Sequence, residues 1–429
     1  MFGAALGVVV LCLATTIPLH ASGSISLGTI QVQNTPVICD SSWYSFNGAN
    51  GTSYLNCYTA TVTCNNTDNW SMTFGYLSPV GLVNHINTAA DVKGLIIMTS
   101  GDGGEMPESN SLTDKYFRAG YEVAQFAWAD DWEVNYQDTS KGPGNIQNAA
   151  CRPATFFNYI YNTYFLQTIS NNNSHAGFCA LGTSAGSAAI AYSLAYYGAG
   201  DWFDHVELLS GPVLSDVKQG CQVPHASSIT VCGQTNCSGS QCGCQLGGGS
   251  TWSILPTYVG GAQVGVRRWT NDNSCANANN SGSWTTWLNQ SIVDQSPGGT
   301  GELPVPVFTY GSTGISAWLC RSVQNPNNYD CAAHNNDNSN VCPNNSSTQG
   351  QIFYANIGPS NLPPSYNIYA VDNCGNAEGV TATNPPSNVP GYQTAIFGGT
   401  VNGFNAIADD MVGAQIGQNI ISAQCFRRH

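Results

Sequence analysis

The run from residue 177 to residue 194 constrains this chain more than any other. It begins as a short apolar strand over 177–181, turns sharply through Gly182-Thr183-Ser184-Ala185-Gly186, and continues as a helix of small and apolar residues. A chain that changes from strand to helix within five residues needs glycine wherever its backbone passes close to a neighbour. Gly182 and Gly186 stand two positions either side of Ser184. The spacing G-x-S-x-G in this setting predicts a nucleophile elbow. In such a turn the strained backbone lifts the serine hydroxyl out of a sheet and sets it at the positive end of a helix. The five residues alone also suit an ordinary Gly/Ser-rich turn without chemistry; the strand before and the helix after favour the elbow.

Strand and helix patterns alternate on both sides of it. Residues 23–80 read as β structure, and 94–100 is an apolar strand leading into Gly101-Asp102-Gly103-Gly104. Residues 111–119 suit a short helix with Ser111 as N-cap and Gly120 as its stop. A strand follows over 121–128. Over 145–165, Phe156, Phe157, Ile160 and Tyr164 recur at helical spacing, with Pro153 near a helix start or at a kink. Further strands are predicted at 206–209, 304–310 and 366–372, and an amphipathic closing helix over 404–423. Such alternation predicts an α/β fold, a mainly parallel sheet with helices on both faces. Ligands of such sheets bind at the carboxyl ends of the strands. Residues 217–300 break the rhythm: they are rich in Cys, Gly, Ser and Asn and carry Trp252, Trp269, Trp284 and Trp287. They read as a disulfide-braced cap inserted above the sheet. The domain plan is a leader over 1–22 and one domain over 23–429, with 217–300 as its cap.

Charge narrows the choice of partner. Only 8% of the 429 residues are charged, against about a quarter in ordinary soluble proteins, and the net charge is −14 with 11 Lys+Arg. Nucleic acid and anionic membrane surfaces both call for a basic face, so neither is expected as a partner. The apolar run 4–16, followed by Leu19-His20-Ala21, reads as a secretory signal peptide, although no Lys or Arg precedes it. An N-terminal membrane anchor is the other reading. Of the 17 cysteines, Cys12 lies in this leader. Several of the others are close in sequence: Cys57 with Cys64, Cys232 with Cys237, Cys242 with Cys244, and Cys331 with Cys342. Disulfides in an oxidising, extracellular setting are the expected use. Zinc is the competing reading for 232–244, with His225 nearby. Cys179, inside the strand before the turn, reads as a buried free thiol. No D-x-[DN]-x-[DN]-G run is present, and neither a metal nor a cofactor is expected.

Taken together, the Gly182–Gly186 turn, the Gly-rich turn 100–104 after an upstream strand and the element order past Ser184 resemble the α/β-hydrolase superfamily over roughly 55–425. The resemblance implies a secreted serine hydrolase acting on carboxylic esters, small or polymeric, through an acyl-enzyme. Ser184 would be the nucleophile. The N–H of Ala185 would be one oxyanion donor, and Asp102 or Gly103 would supply a second. Asp216, after the 206–209 strand, is the candidate acid. The histidine expected after the last strand is absent, and Asn376 stands in that region; an amide is no general base near neutral pH. His20 falls in the leader, and His429 is the final residue. His85, His175 and His205 precede strands, at the wrong end of a parallel sheet. His225 and His334 remain, and His334, between the last two strands, is preferred as the base. Asp372 and Glu378 are further carboxylates in the region. The alternative is a catalytically inactive hydrolase fold serving as an extracellular binding protein, its cap tryptophans stacking on sugars.

Overall fold

The computed structural model of the protein describes residues 25–47, 55–65, 67–101, 104–108, 110–133, 146–209, 211–212, 292, 313–321, 366–372, 403–416 and 419–428. The predicted leader and nearly all of the predicted cap lie outside these residues.

Nine strands form one sheet. They are β1 (Thr29–Val32), β2 (Asn56–Thr63), β3 (Trp70–Leu77), β4 (Gly94–Thr99), β5 (Tyr121–Trp128), β6 (Gly177–Thr183), β7 (His205–Leu209), β8 (Gly314–Arg321) and β9 (Tyr366–Asp372). Their order is β1-β2-β3-β5-β4-β6-β7-β8-β9. Strands β1, β2 and β3 pair antiparallel, as do β3 and β5; every pairing from β5 through β4 and on to β9 is parallel. Burial explains the division. Every residue of β4 and β7 is buried, and all but the last of β6, as expected of strands covered on both faces. Strand β2 alternates more and lies toward the edge.

Two apolar layers cover the faces. On one, α2 (Ile146–Ala149), α3 (Cys151–Ile160) and α4 (Ala185–Tyr196) pack on Leu95, Ile97, Phe126, Phe178 and Val206. Aromatic rings fill much of this layer; Phe178 stacks on Phe203 at 5.2 Å between centroids. On the other, α1 (Asn110–Arg118) and α5 (Gly403–Val412) pack on Ile96, Met98, Val123 and Leu181. The expected α/β architecture with helices on both faces is therefore present.

Several local expectations need correction. Helix α1 starts at Asn110, one residue before the assigned Ser111 cap, but it stops at Gly120 (φ 98°) as the sequence implied. The 145–165 helix is a short turn followed by α3, which runs on in wider π turns over Tyr161–Ser170. Pro153 sits in the first turn of α3, where its missing N–H does no harm. The closing helix does not reach 423. It ends at Val412 because Gly413 adopts φ 78° and donates its N–H to the Asp409 carbonyl. A two-stranded hairpin of β10 (Ala414–Ile416) and β11 (Asn419–Ile421) follows. The sheet takes its eighth strand from Gly314–Arg321; the 304–310 strand lies outside the described residues.

Disulfides depart from nearest-neighbour pairing. Cys57 bonds to Cys39 and Cys64 to Cys151, not to each other. Cys179 is no free thiol: it bonds to Cys425, 246 residues on. Folding brought these partners together across the sheet, which no sequence spacing records.

Candidate active site

Strand β6 lies at the centre of the parallel region, with β4 on one side and β7 on the other. Its carboxyl end is Thr183, and Ser184 is the residue between it and α4. Ser184 adopts φ 51° and ψ −113°. A positive φ is unfavourable for a serine and persists only when its surroundings hold it, here by about 1–3 kcal/mol of strain. One restraint is the Ser184 N–H, which donates to the Leu209 carbonyl at 2.8 Å and ties the turn to the end of β7. A second is the Ser184 carbonyl, which accepts from the Ala188 N–H at 3.1 Å and the Ser187 hydroxyl at 2.5 Å.

The glycines show why the spacing is needed. A Cβ on Gly182 would lie 2.5 Å from the Gly186 carbonyl oxygen, and one on Gly186 would lie 2.4 Å from that of Thr99. Helix α4 thus packs directly on the backbone of β6 and of β4, and only hydrogen fits between. The upstream turn comes just as close: a Cβ on Gly101 would meet the Ser184 Cβ at 3.1 Å and its Oγ at 3.7 Å. The Gly-rich loop after β4 and the serine turn after β6 therefore form one site. That loop folds back through a Gly104 N–H to Gly101 carbonyl bond of 3.0 Å, and the Ser100 hydroxyl donates to the Met106 carbonyl.

A buried cation braces the elbow from behind, and the sequence reading missed it. Arg152 on α3 is fully buried. It donates to the Trp132 carbonyl at 2.7 Å and to the Thr67 hydroxyl at 2.7 Å, and its guanidinium lies 4.1 Å from the Trp70 ring centroid. Burial pulls its pKa down to about 9, opposed by the charges of Asp68 and Asp130. The Trp132 indole N–H in turn donates to the Ala185 carbonyl at 3.2 Å. The first residue of α4 is thus held from outside the helix as well as within it. The Ala185 N–H belongs to the first turn of α4 and has no acceptor within the helix.

Of the sequence-assigned site residues, Ser184 and Ala185 fall together at this turn. Asp102, Gly103, Asp216 and His334 lie outside the described residues, as do His225, Asn376 and Glu378. The three described histidines lie at the opposite end of the sheet. His205 is level with Cys179, five residues before Ser184 and about 16 Å away at ~3.3 Å per residue. His175 precedes β6, and His85 lies beside Ile86, which packs at Gly120 before β5. Among the described residues, then, no imidazole serves Ser184. A cavity of about 690 Å³ lies near the same loop, walled by Trp43, Thr59, Thr73, Met106 and Trp128; Ser184 is not in its lining.

No family model matches the chain, and no curated protein matches its sequence. Among solved structures it is similar to brefeldin A esterase, described as a bacterial homologue of human hormone sensitive lipase. That match has 12% identity and a TM-score of 0.35, and covers 76% of this chain and 71% of that one. An acetyl xylan esterase from Paenibacillus sp. R4 aligns at 8% identity and TM-score 0.38, over 80% and 82%. A carboxyl esterase from Bacillus coagulans aligns at 12% and 0.33, over 73% and 90%. The fold rests on the chain's own geometry: a mixed sheet, parallel from β5 to β9, with a strained serine turn between its central strand and the next helix. That architecture is the one the resemblance to the α/β-hydrolase superfamily implied.

Proposed function

We propose that the protein is a serine hydrolase that cleaves carboxylic esters through an acyl-enzyme on Ser184. One observation carries the reading: a non-glycine residue held at φ 51° at the junction of β6 and α4, with the Gly101 turn in contact with it. Strain at such a position is kept where it serves chemistry. In the proposed reaction the Ser184 hydroxyl adds to the ester carbonyl and a base takes its proton. The tetrahedral oxyanion is held by the Ala185 N–H and by a second donor from Asp102 or Gly103. The intermediate collapses as the base hands its proton to the departing alcohol, and water, deprotonated by the same base, then attacks the acyl-enzyme and releases the acid. His334 is proposed as the base and Asp216 as the acid that orients it. Three disulfides support an oxidising, extracellular setting. Among the described residues no helix is long and apolar enough to cross a membrane.

The test is labelling of the full chain with a fluorophosphonate, followed by peptide mapping. Label on Ser184, lost in Ser184→Ala, supports the proposal. An intact, folded protein that takes no label where a control esterase does would overturn it. That outcome favours the second reading, an inactive fold used for binding, for which one sequence fact speaks: past β9 the chain holds no histidine before His429.

A further inference from the structure

Beneath α1 and α5, at the end of the sheet away from Ser184, lies a group of polar side chains that the proposed reaction does not use. His205 and Glu207 point from β7 into the same layer, being two residues apart on one strand. Asp410 reaches them from α5. A ring nitrogen of His205 and one carboxylate oxygen each of Glu207 and Asp410 all lie within 4.8 Å of one another. His205 and Glu207 are 0% exposed and Asp410 is 1% exposed. Both ring nitrogens of His205 and both carboxylate oxygens of Glu207 lack a hydrogen-bond partner among the described residues.

Buried polar atoms are almost always satisfied, so four orphan atoms on two adjacent side chains call for an explanation. Two carboxylates this close in an apolar layer cannot both stay charged without a cation between them. The nearby cation, Arg428, is close enough for its charge to act on His205 and Asp410, but its Nη2 donates to Gln424 and its backbone N–H to Asp204. Around the three groups stand side chains suited to orient ligands. The Ser316 hydroxyl on β8 donates to Asp410 Oδ2, and the Tyr116 hydroxyl on α1 faces Glu207. Metal sites use such outer partners to fix the direction of a carboxylate.

We propose that His205, Glu207 and Asp410 form a buried site for one divalent transition-metal cation. One imidazole and two carboxylates make a nitrogen–oxygen donor set that suits zinc, and zinc is the probe of choice. On bonds of about 2.1 Å, tetrahedral donors stand roughly 3.4 Å apart, so the three side chains close by about an ångström on binding. Without the cation, burial holds the Glu207 carboxyl well above its usual range, with Asp410 adding to the effect, and holds the His205 imidazolium well below its own. The site binds β7 to α5, two elements some 200 residues apart in the chain. At ~3.3 Å per strand residue His205 lies about 16 Å and Glu207 about 10 Å from Ser184, and neither enters the proposed reaction, so the role of the site is structural, independent of the hydrolase reading. A site this enclosed fills as the chain folds.

The test uses the full chain, unfolded in guanidinium and EDTA with disulfides intact and refolded with or without Zn²⁺. After gel filtration the wild type and Ser184→Ala are expected to retain one zinc more per chain than Glu207→Gln, and to melt higher with zinc than without. Equal zinc in the wild type and Glu207→Gln overturns the proposal; so does a wild type whose melting ignores zinc. If Glu207→Gln fails to fold, wild type refolded with Co²⁺ decides the matter. Tetrahedral d–d bands without sulfur charge transfer support the site. A hexaaqua-like spectrum, or sulfur charge transfer that assigns the ion to cysteines, sinks it.

Discussion

The two ends of β6 and β7 solve different problems within five residues of each other. At the carboxyl end the difficulty is in the backbone. Ser184 is held at a positive φ, and three glycines give up their side chains so that β4, β6 and α4 can touch. At the amino end of the same two strands the difficulty is in the side chains. His205 and Glu207 are sealed with Asp410 under two helices, and Glu122 on β5, three strands away, is buried with only the Ser78 hydroxyl on one oxygen. The amino end is also where the C-terminal tail is stitched down. Cys425 bonds to Cys179, the Tyr121 hydroxyl donates to the Cys425 carbonyl at 3.0 Å, and both oxygens of Asp204 accept backbone N–H groups, from Phe178 and Arg428. Among the described residues the buried carboxylates Glu207 and Asp410 lie at the end where the C-terminal tail is tied down.

If this division is right, substitutions should separate the ends. The largest loss is expected from Gly186→Ala. Its methyl meets two backbone carbonyl oxygens, of Thr99 at 2.4 Å and Ser100 at 2.7 Å, neither of which swings aside cheaply. Denaturant unfolding should show about 3 kcal/mol of destabilisation or outright failure to fold. A fully stable Gly186→Ala would mean the carboxyl end is looser than described. Next comes the staple at the other end. Replacing Cys179 and Cys425 together by Ser should remove about 3 kcal/mol, read in the same way. Reactivity of Ser184 toward the fluorophosphonate should persist in whatever remains folded; loss of labelling in the folded fraction would couple the two ends.

Glu122 tests the buried charge by pH. Burial pushes its pKa from 4.5 up to about 8. Below about pH 4.5 the carboxyl is protonated folded or unfolded and makes no difference. Between 4.5 and 8 the unfolded chain gives up the proton first, so stability falls as pH rises and levels off above 8. The full shift is worth about 5 kcal/mol, and hydration of the ionised group leaves about 2 kcal/mol as the expected loss. Glu122→Gln should match the wild type at pH 4 and exceed it by that amount at pH 9. Curves that stay parallel at every pH would break the comparison. The smallest effect is a gain. Ser184→Gly relieves the positive φ and should stabilise the fold by about 1 kcal/mol while abolishing probe labelling. No gain would mean that the turn is not strained.

The same contrast explains what the sequence could tell. The elbow is contiguous: strand, glycines, serine and helix lie within twenty residues, and each choice is dictated by its neighbours. The Gly101 turn was legible for the same reason. The buried group was not. His205 was set aside because it precedes a strand, which is right for catalysis and says nothing of other uses. Its partner Asp410 sits in a helix whose pattern reads as ordinary amphipathic spacing. The cysteine partners followed the same rule, since Cys179 meets Cys425 only after the sheet has formed. One miss was avoidable. Gly413 follows Val412 as a helix-stopping glycine should, and the apolar rhythm beyond it belongs to a hairpin. Arg152 gave no signal, because nothing in a helical pattern marks a cation that will lie over the Trp70 ring.

The bond between Cys179 and Cys425 turns most of the second half of the chain into a closed ring. A protease that cuts once anywhere inside that ring makes two ends but no free fragment. The product keeps the mass of the whole until a reductant is added, and material that looks uncut on a non-reducing gel can already be nicked.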